Sequence, residues 1–194
     1  MDKNRQFTLS DERIVLRAPE PIDVDTLYKW ENDTSLWSTG VTLAPYSRKQ
    51  LWDYIDNYDG DIFAAKQLRF MIDLKNGNGN VETGVHDSKK ELFPTSIGTV
   101  DLFDFDAVNS RCGIGILITN GYQRQGYGYA ALNLVAEYCR ARLGLHQLYC
   151  TIAETNHPSR ALFEKAGFQI SGRLKSWLRT PPTYTSAYFY QKFL

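Results

Sequence analysis

A chain of 194 residues that is 43% hydrophobic, 23% charged and 13% aromatic has a globular composition, which excludes a disordered polypeptide. At this length folding removes roughly 70% of the surface that the unfolded chain exposes, so one domain spanning residues 1–194 can hold a core without staples, and a second full domain would be cramped. Lys and Arg total 22, as do Asp and Glu, so the net charge is zero and the bulk attraction that nucleic-acid binding depends on is missing.

The three cysteines, Cys112, Cys139 and Cys150, lie in apolar segments without metal or redox spacing, and buried reduced thiols are expected. Met1 to Arg13 has no apolar stretch that would mark a secretory signal. No later segment approaches the ~20 apolar residues of a membrane span. The expectation is a cytoplasmic protein whose partners include neither membrane nor nucleic acid. Zero net charge conceals a polarised chain, however. Glu20 to Asp61 holds nine acids against Lys29, Arg48 and Lys49, a balance of −6, and Thr119 to Leu194 holds nine bases against three acids, a balance of +6. This suits a protein holding an anionic ligand with one half and a cationic one with the other, and equally two ordinary solvated faces.

In chain order, Arg13 to Ala18 alternates as a strand does and is ended by Pro19 and Pro21. Asp23 opens a helix carrying Leu27 and Trp30. A second helix over Ser47 to Tyr58 places Leu51, Tyr54, Ile55 and Tyr58 on one face and Asp53 and Asp56 outside it. Strands are expected over Leu68 to Leu74 and Ile97 to Phe105. The polar stretch between them, residues 75–95 with its Asn-Gly repeats, reads as a mobile hairpin loop. Arg111 to Ile118 has too many glycines for a helix and is expected to be a central strand. Gly126 to Leu143 is the clearest helix, with Ala131, Leu132, Val135, Ala136, Cys139 and Leu143 along one side. Gln147 to Ala153 is a strand, Asn156 with Pro158 starts a helix that stops at Gly167, and strands around Gln169 to Trp177 and Thr185 to Phe193 close the chain.

One helix start carries the chemistry. Between the strand ending at Ile118 and the long helix lies Thr119-Asn120-Gly121-Tyr122-Gln123-Arg124-Gln125-Gly126-Tyr127-Gly128-Tyr129. Gly126 and Gly128 allow close backbone approach, the first N–H groups of the helix are free, and Arg124 adds a fixed positive charge, so the site suits a phosphate. A P-loop is excluded because no Lys-Ser/Thr pair follows the glycines. A dinucleotide fingerprint fits Gly126, Gly128 and Ala131, but Thr119 to Gln125 intervene after the strand and too little chain follows Glu154 for the remaining parallel strands.

Gln123-Arg124-Gln125-Gly126-Tyr127-Gly128 resembles the pyrophosphate loop of the GNAT N-acetyltransferases. Asn156-His157-Pro158-Ser159, followed by Leu162-Phe163-Glu164-Lys165-Ala166-Gly167-Phe168, is similar to a signature of the branch that holds the ribosomal-protein alanine and spermidine acetyltransferases. Leu16-Arg17-Ala18 and Trp30-Glu31-Asn32-Asp33 resemble that branch too, so the likeness spans nearly the whole chain apart from residues 75–95. The resemblance implies an α/β fold of the α+β type, with a central mixed, mostly antiparallel twisted sheet flanked by helices. It implies acetyl-CoA as co-substrate without a metal, the pantetheine arm on Ile116, Leu117 and Ile118, the pyrophosphate at Gln123 to Tyr129, and Asn156 and Ser159 reaching the cofactor from the facing helix. Read as plain structure, Asn156 is an N-cap and Ser159 a first-turn residue.

Direct acetyl transfer to a primary amine needs a proton acceptor, because freeing the lone pair of an amine of pKa ~10.4 at pH 7 costs about 4.6 kcal/mol. Asp101 is the first candidate, since alternation sets it on one strand face with Thr99 and Phe103, where a carboxylate needs a reason to be; a structural salt bridge or a solvated acid are the other readings. Asp104 and Asp106 are expected to be merely solvated. Trp30 and Glu31 are candidates for binding the cation. Phe163 stands where many relatives carry a general-acid tyrosine, which leaves Ser159, Asn156, water or an undonated thiolate. His86, His146 and His157 have no ligand spacing. The acceptor is either a polyamine or a protein N-terminal amine, a homo-oligomer stays open, and the rival from another class is a catalytically silent acyl-CoA-binding module.

Overall fold

The computed structural model describes residues 8–37, 42–76, 80–85, 92–180 and 182–194, with backbone alone for 84, 85, 92 and 93. β1 (Ile14–Arg17) leads through a 3-10 turn at Pro21–Asp23 into α1 (Val24–Glu31), followed by the short α2 (Thr34–Trp37). α3 (Arg48–Asp56) starts at Ser47, whose hydroxyl accepts from the Gln50 N–H while the Gln50 side chain returns to the Ser47 N–H, a capping box that fixes the helix start. α4 (Ile62–Ala65) is a single turn capped by Asp61. Neither α2 nor α4 shows in the periodicity, because four residues are too few to display a 3.6-residue repeat.

Then come β2 (Leu68–Leu74), β3 (Thr83–Val85), β4 (Leu92–Pro94), β5 (Ser96–Asp106) and β6 (Arg111–Ile118). β3 and β4 form a separate two-stranded ribbon inside the segment expected to be a plain loop, and residues 77–79 and 86–91 of that segment, with His86, lie outside the described residues. α5 (Tyr127–Ala141), β7 (Gln147–Ala153), α6 (His157–Lys165), β8 (Gln169–Thr180) and β9 (Thr183–Phe193) complete the order. The closing hairpin is longer than its sequence pattern suggests at both inner ends.

The main sheet has seven strands in the order β1-β2-β5-β6-β7-β9-β8. Every neighbouring pair is antiparallel except β6 with β7, so β6 is central and the sheet is mixed and mostly antiparallel, as expected. α5 and α6 cover one face, where Phe70, Val100, Ile114, Leu132, Val135, Cys139 and Phe163 share the larger core. α1 and α3 cover the other face at the β1–β2–β5 end, with Val24, Leu27, Leu51 and Ile55 packed around Met71.

Arg17 fastens that second layer. Its guanidinium donates to Asp23, just before α1, and to Asp73 on β2, whose other oxygen accepts from the Ser96 hydroxyl. Asp73 is fully buried and Asp23 is 3% exposed, so removing the arginine strands two carboxylates without a counter-charge. Arg17→Ala is expected to lower the free energy of urea unfolding by about 3 kcal/mol with near-unchanged far-ultraviolet circular dichroism. A loss below about 1 kcal/mol would show that the cluster contributes little.

Cys112, Cys139 and Cys150 are all buried and reduced, as expected. Burial pushes the Cys112 and Cys150 thiols up to about 12 and raises Cys139 as well. Since the native values lie above the ordinary thiol value of 9.0, the thiols contribute stability that is complete below pH 9 and is lost as pH rises toward 12. An aromatic disulfide reagent at pH 8 should therefore label no thiol in the native protein and three in denaturant; rapid native labelling would mean that the core opens.

Candidate active site

The parallel pair β6–β7 is joined only at Arg111, Cys112 and Gly113, which face Gln147, Leu148 and Tyr149. Beyond that point β6 runs on to Ile118 beside β5, β7 runs on to Ala153 beside β9, and the two strands part. Thr119 donates its N–H to Ile97 across the β5 side, so strand alternation directs the backbone groups of Gly115, Leu117 and Thr119 toward β5 and those of Ile116 and Ile118 into the gap. Of the three residues expected to hold the pantetheine arm, Ile116 therefore turns its N–H and carbonyl, and Ile118 its N–H, toward a ligand in the gap, the Ile118 carbonyl being taken by Gln123, whereas the main-chain groups of Leu117 belong to the sheet.

The gap opens at its wide end onto the loop 119–126 and the start of α5. Gly126 is the N-cap of α5, in a left-handed conformation at φ +87°, and Arg124 precedes it at φ +61°. The loop is tied from within: Gln123 Nε2 donates to the Ile118 carbonyl at 2.8 Å and Gln125 Nε2 to the Gly121 carbonyl at 2.6 Å. Both glutamine side chains thus shape the loop, a role distinct from touching an anion. Sequence reasoning missed Arg13. Its guanidinium donates to the carbonyls of Gln125 and Gly126 and lies beside the Tyr127 ring, adding a cation at the helix start. Nothing local could have shown this contact, which joins residues over one hundred positions apart.

Gly128 does not simply clear space for a ligand. A Cβ there would meet Leu162 of α6 at 3.1 Å and Ile118 at 3.5 Å, so the glycine lets α6 pack against α5 and the end of β6. α6 starts as expected: Asn156 is its N-cap and accepts from the Ser159 N–H at 3.2 Å. Phe163 is 3% exposed and meets Phe168 edge to face at 5.0 Å, turned into the core.

On the opposite face of the sheet, Arg69, Asp101 and Gly115 stand side by side on β2, β5 and β6. Asp101 is not a solitary acid. It takes a two-pronged contact from Arg69, Nε to Oδ1 at 2.6 Å and Nη2 to Oδ2 at 3.1 Å, and the same guanidinium donates to Glu31 Oε1 at 2.6 Å. The salt-bridge reading of Asp101 is thus realised, with Arg69 a participant that sequence reasoning did not name. Beyond Asp101 the side-chain layer is absent at Gly115, where a Cβ would meet only the Phe103 ring, at 3.7 Å. Asp101 therefore borders the gap with no side chain intervening at that strand position. Trp30, the other candidate for the cation, packs against the smaller core.

Two further expectations change. Asp106 is not merely solvated: it accepts from Asn109 and pairs with Arg111, closing the β5–β6 turn. Four of the nine acids of the −6 segment are paired as well, Asp23 with Arg17, Asp25 with Arg48, Glu31 with Arg69 and Asp53 with Lys49. Among the described residues no group of His, Cys, Asp and Glu could hold a metal ion. Nor is any of their helices long and apolar enough to cross a membrane.

The chain that forms this arrangement of parted strands and helix start matches a known family model. Residues 13–169 fit the acetyltransferase (GNAT) domain. The chain belongs to the GNAT acetyltransferase family. Its relatives include the spermidine N(1)-acetyltransferase of Escherichia coli K12, 27% identical over 165 residues that span 85% of this chain and 77% of the relative. A prophage-derived uncharacterized N-acetyltransferase of Bacillus subtilis is 26% identical over 89% of this chain and 85% of its own. Among solved structures, the spermidine N-acetyltransferase of Vibrio cholerae in complex with CoA and spermine superposes with a TM-score of 0.72 at 22% identity, covering 94% and 96% of the two chains. As a GNAT protein, the chain is an acyltransferase.

Arg13 gives this site a direct test. Arg13→Gln removes the charge that grips the Gln125 and Gly126 carbonyls, and coenzyme A affinity measured by calorimetry should fall about tenfold, ~1.4 kcal/mol. Unchanged affinity would show that the loop keeps its shape and its field without Arg13.

Proposed function

We propose that this protein transfers the acetyl group of acetyl-CoA directly to a primary amine of a polyamine. The observation that carries the reading is the juxtaposition at Gly115: a gap edged by the main-chain groups of Ile116 and the N–H of Ile118, which no strand pairs, on one side, and a carboxylate pair holding a single arginine on the other. The spermidine acetyltransferase relative supports the polyamine.

The co-substrate supplies a thioester, a reactive acyl group with a good leaving group. An arm carrying amides fits the gap because it can pair with strand backbone as an added strand does, which is why Ile116, Leu117 and Ile118 need no special side chains. The phosphates belong at the start of α5, where free N–H groups, the helix dipole, Arg124 and Arg13 converge. Gln123, Gln125, Gly126, Tyr127, Gly128 and Tyr129 form the wall of that site, the glutamines by holding its shape.

Glu31, Arg69 and Asp101 together carry one uncompensated negative charge, which attracts an ammonium ion. The two-pronged arginine contact occupies only part of the lone-pair capacity of Asp101, so the carboxylate can still accept a proton from the amine. We assign Asp101 as the proton acceptor, with Glu31 orienting the cation from the end of α1 and Trp30 fixing that end against α3. With Phe163 buried and lacking a hydroxyl, the thiolate departs with help from Ser159 or water, while Asn156 holds the helix start. This suffices because a thiol leaves readily at its pKa of ~8.5, whereas the amine keeps its proton ~2 units more tightly.

Asp101→Asn keeps the shape and removes the basic oxygen. Its turnover with spermidine, followed by thiol release, should fall about 10²-fold at pH 7 and recover in part as pH rises and solvent deprotonates the amine. Near-normal turnover with the parental pH profile would move the proton acceptor away from Asp101. A panel of amines in the same assay, with added salt, tests the acceptor class. The second-order rate for a polyamine should fall with salt more steeply than for a neutral acceptor, since exposed charges are screened over about 8 Å at physiological ionic strength. Equal slopes would remove electrostatic attraction from the account, and absence of thiol release with every amine would leave only acyl-CoA binding.

A further inference from the structure

Arg69 stands in an unusual position. It lies on β2 with its side chain 21% exposed, its guanidinium shared between Glu31 from α1 and Asp101 from β5, both at 2.6 Å. Its backbone is held as firmly. β1 ends at Arg17, opposite Met71, so the outward N–H and carbonyl of Arg69 have no strand to pair with. The Tyr58 hydroxyl serves both, accepting from the N–H and donating to the carbonyl, each at 3.0 Å. Since the backbone of Arg69 points outward to Tyr58, its pairing with Asp101 is of the close, non-hydrogen-bonded kind, which brings the two side chains together.

The other arginine fork on this face has a different setting. Arg17, 21% exposed like Arg69, joins Asp23 and Asp73, whose side chains are 4% and 0% exposed, so the carboxylates of that fork are sealed. In the Arg69 fork Glu31 is 21% and Asp101 33% exposed, and Asp101 borders the gap across Gly115. A fork left open on the side where the reaction is placed does more than fasten a helix.

We propose that Arg69 is the positioning residue of the acceptor site: it holds Glu31 and Asp101 together around a single guanidinium, so that one negative charge remains for the acceptor ammonium. The inference rests on the reading of Asp101 as proton acceptor given above. The groups that face the unit are Glu31 from α1, Tyr54 from α3, Tyr58 beyond its end, Arg69 from β2 and Asp101 from β5. Tyr54 is pushed up to about 12, by burial first and by the two carboxylates against the opposing pull of Arg69, so it stays neutral through the working range. The charge of the site is then set by two acids and one permanent base.

Without the arginine the two carboxylates would occupy one site with no counter-charge, and like charges in one site disfavour each other's ionised form. Arg69→Gln is therefore expected to lower kcat/KM for spermidine at least about tenfold at pH 7 and to move its acid limb up by about one pH unit or more, with the KM for acetyl-CoA within about twofold of the parent. Arg69→Lys, which restores a point charge, should return the limb most of the way, and so should the double variant Arg69→Gln/Glu31→Gln, in which one carboxylate remains. A purely structural Arg69 would give a lower thermal midpoint with the parental pH profile in the folded protein, and that result overturns the proposal. An independent readout separates this from the assignment of Asp101. Side-chain carboxyl carbon NMR of Arg69→Gln should show Glu31 and Asp101 titrating in two coupled steps, the upper one above any step they show in the parent. If Asp101→Asn retains near-normal turnover, the proton-acceptor reading fails while this titration still stands; if the titration of Arg69→Gln matches the parent, the proposal about Arg69 fails whatever Asp101→Asn does.

Discussion

The site depends on the parting of β6 and β7. A parallel pair at the centre of a sheet ordinarily satisfies all its inward backbone groups, and here the pairing ends after Gly113 and Tyr149. Main-chain donors and acceptors left at the middle of a fold require partners, so the gap is a built demand for a ligand with amide-like groups. The same divergence brings the wide end of the gap to the start of α5, where the first N–H groups of the helix are free. On the proposed reading, one departure from regular sheet geometry thus supplies both the slot for an extended arm and the seat for its charged end. It also exposes one face of Gly115 to Asp101.

Charge is organised on the same economy. The acid-rich segment looks from its composition like a field that attracts cations, yet four of its nine carboxylates are paired with arginine or lysine. Two of the arginines act as forks. Arg17 ties Asp23 before the first turn of α1 to β2, and Arg69 ties Glu31 at its last turn to β5, so the helix is fastened to the sheet at both ends. Buried ion pairs of this kind gain little net energy over apolar packing, but removing one partner is costly, so they specify position more than they add stability. The fork with buried carboxylates fixes the helix, and the other fixes the helix and borders the acceptor site proposed above.

Other glycines and glutamines show how a motif can mix roles. In the loop before α5, Gly126 adopts a conformation that ordinary residues rarely take, whereas Gly128 makes room for Leu162 of α6. Gln123 and Gln125 spend their amides on the loop's own carbonyls. The anion site proposed at the start of α5 would be made mainly of backbone N–H groups, which need a rigid frame, and these side chains supply it.

The elements that depend on near neighbours were legible in the chain itself: β2, β6 and β7 to the residue, α3 from its start at Ser47, α5 from its start at Gly126, and α6 with Asn156 before it and Gly167 after it. Period, capping and glycine placement are local properties, and they carried the loop motif and the family resemblance with them. The single-turn helices, the β3–β4 ribbon and the length of the β8–β9 hairpin were not legible, because segments so short or so exposed leave little hydrophobic period. What only the tertiary structure decided is which charges meet. Arg69 finds Asp101 32 residues away and Glu31 38 away, and Arg13 reaches the start of α5 from 112 residues before Gln125. Such pairings follow from strand register and from the reach of a long side chain across a packed layer, and no periodicity in the sequence records either.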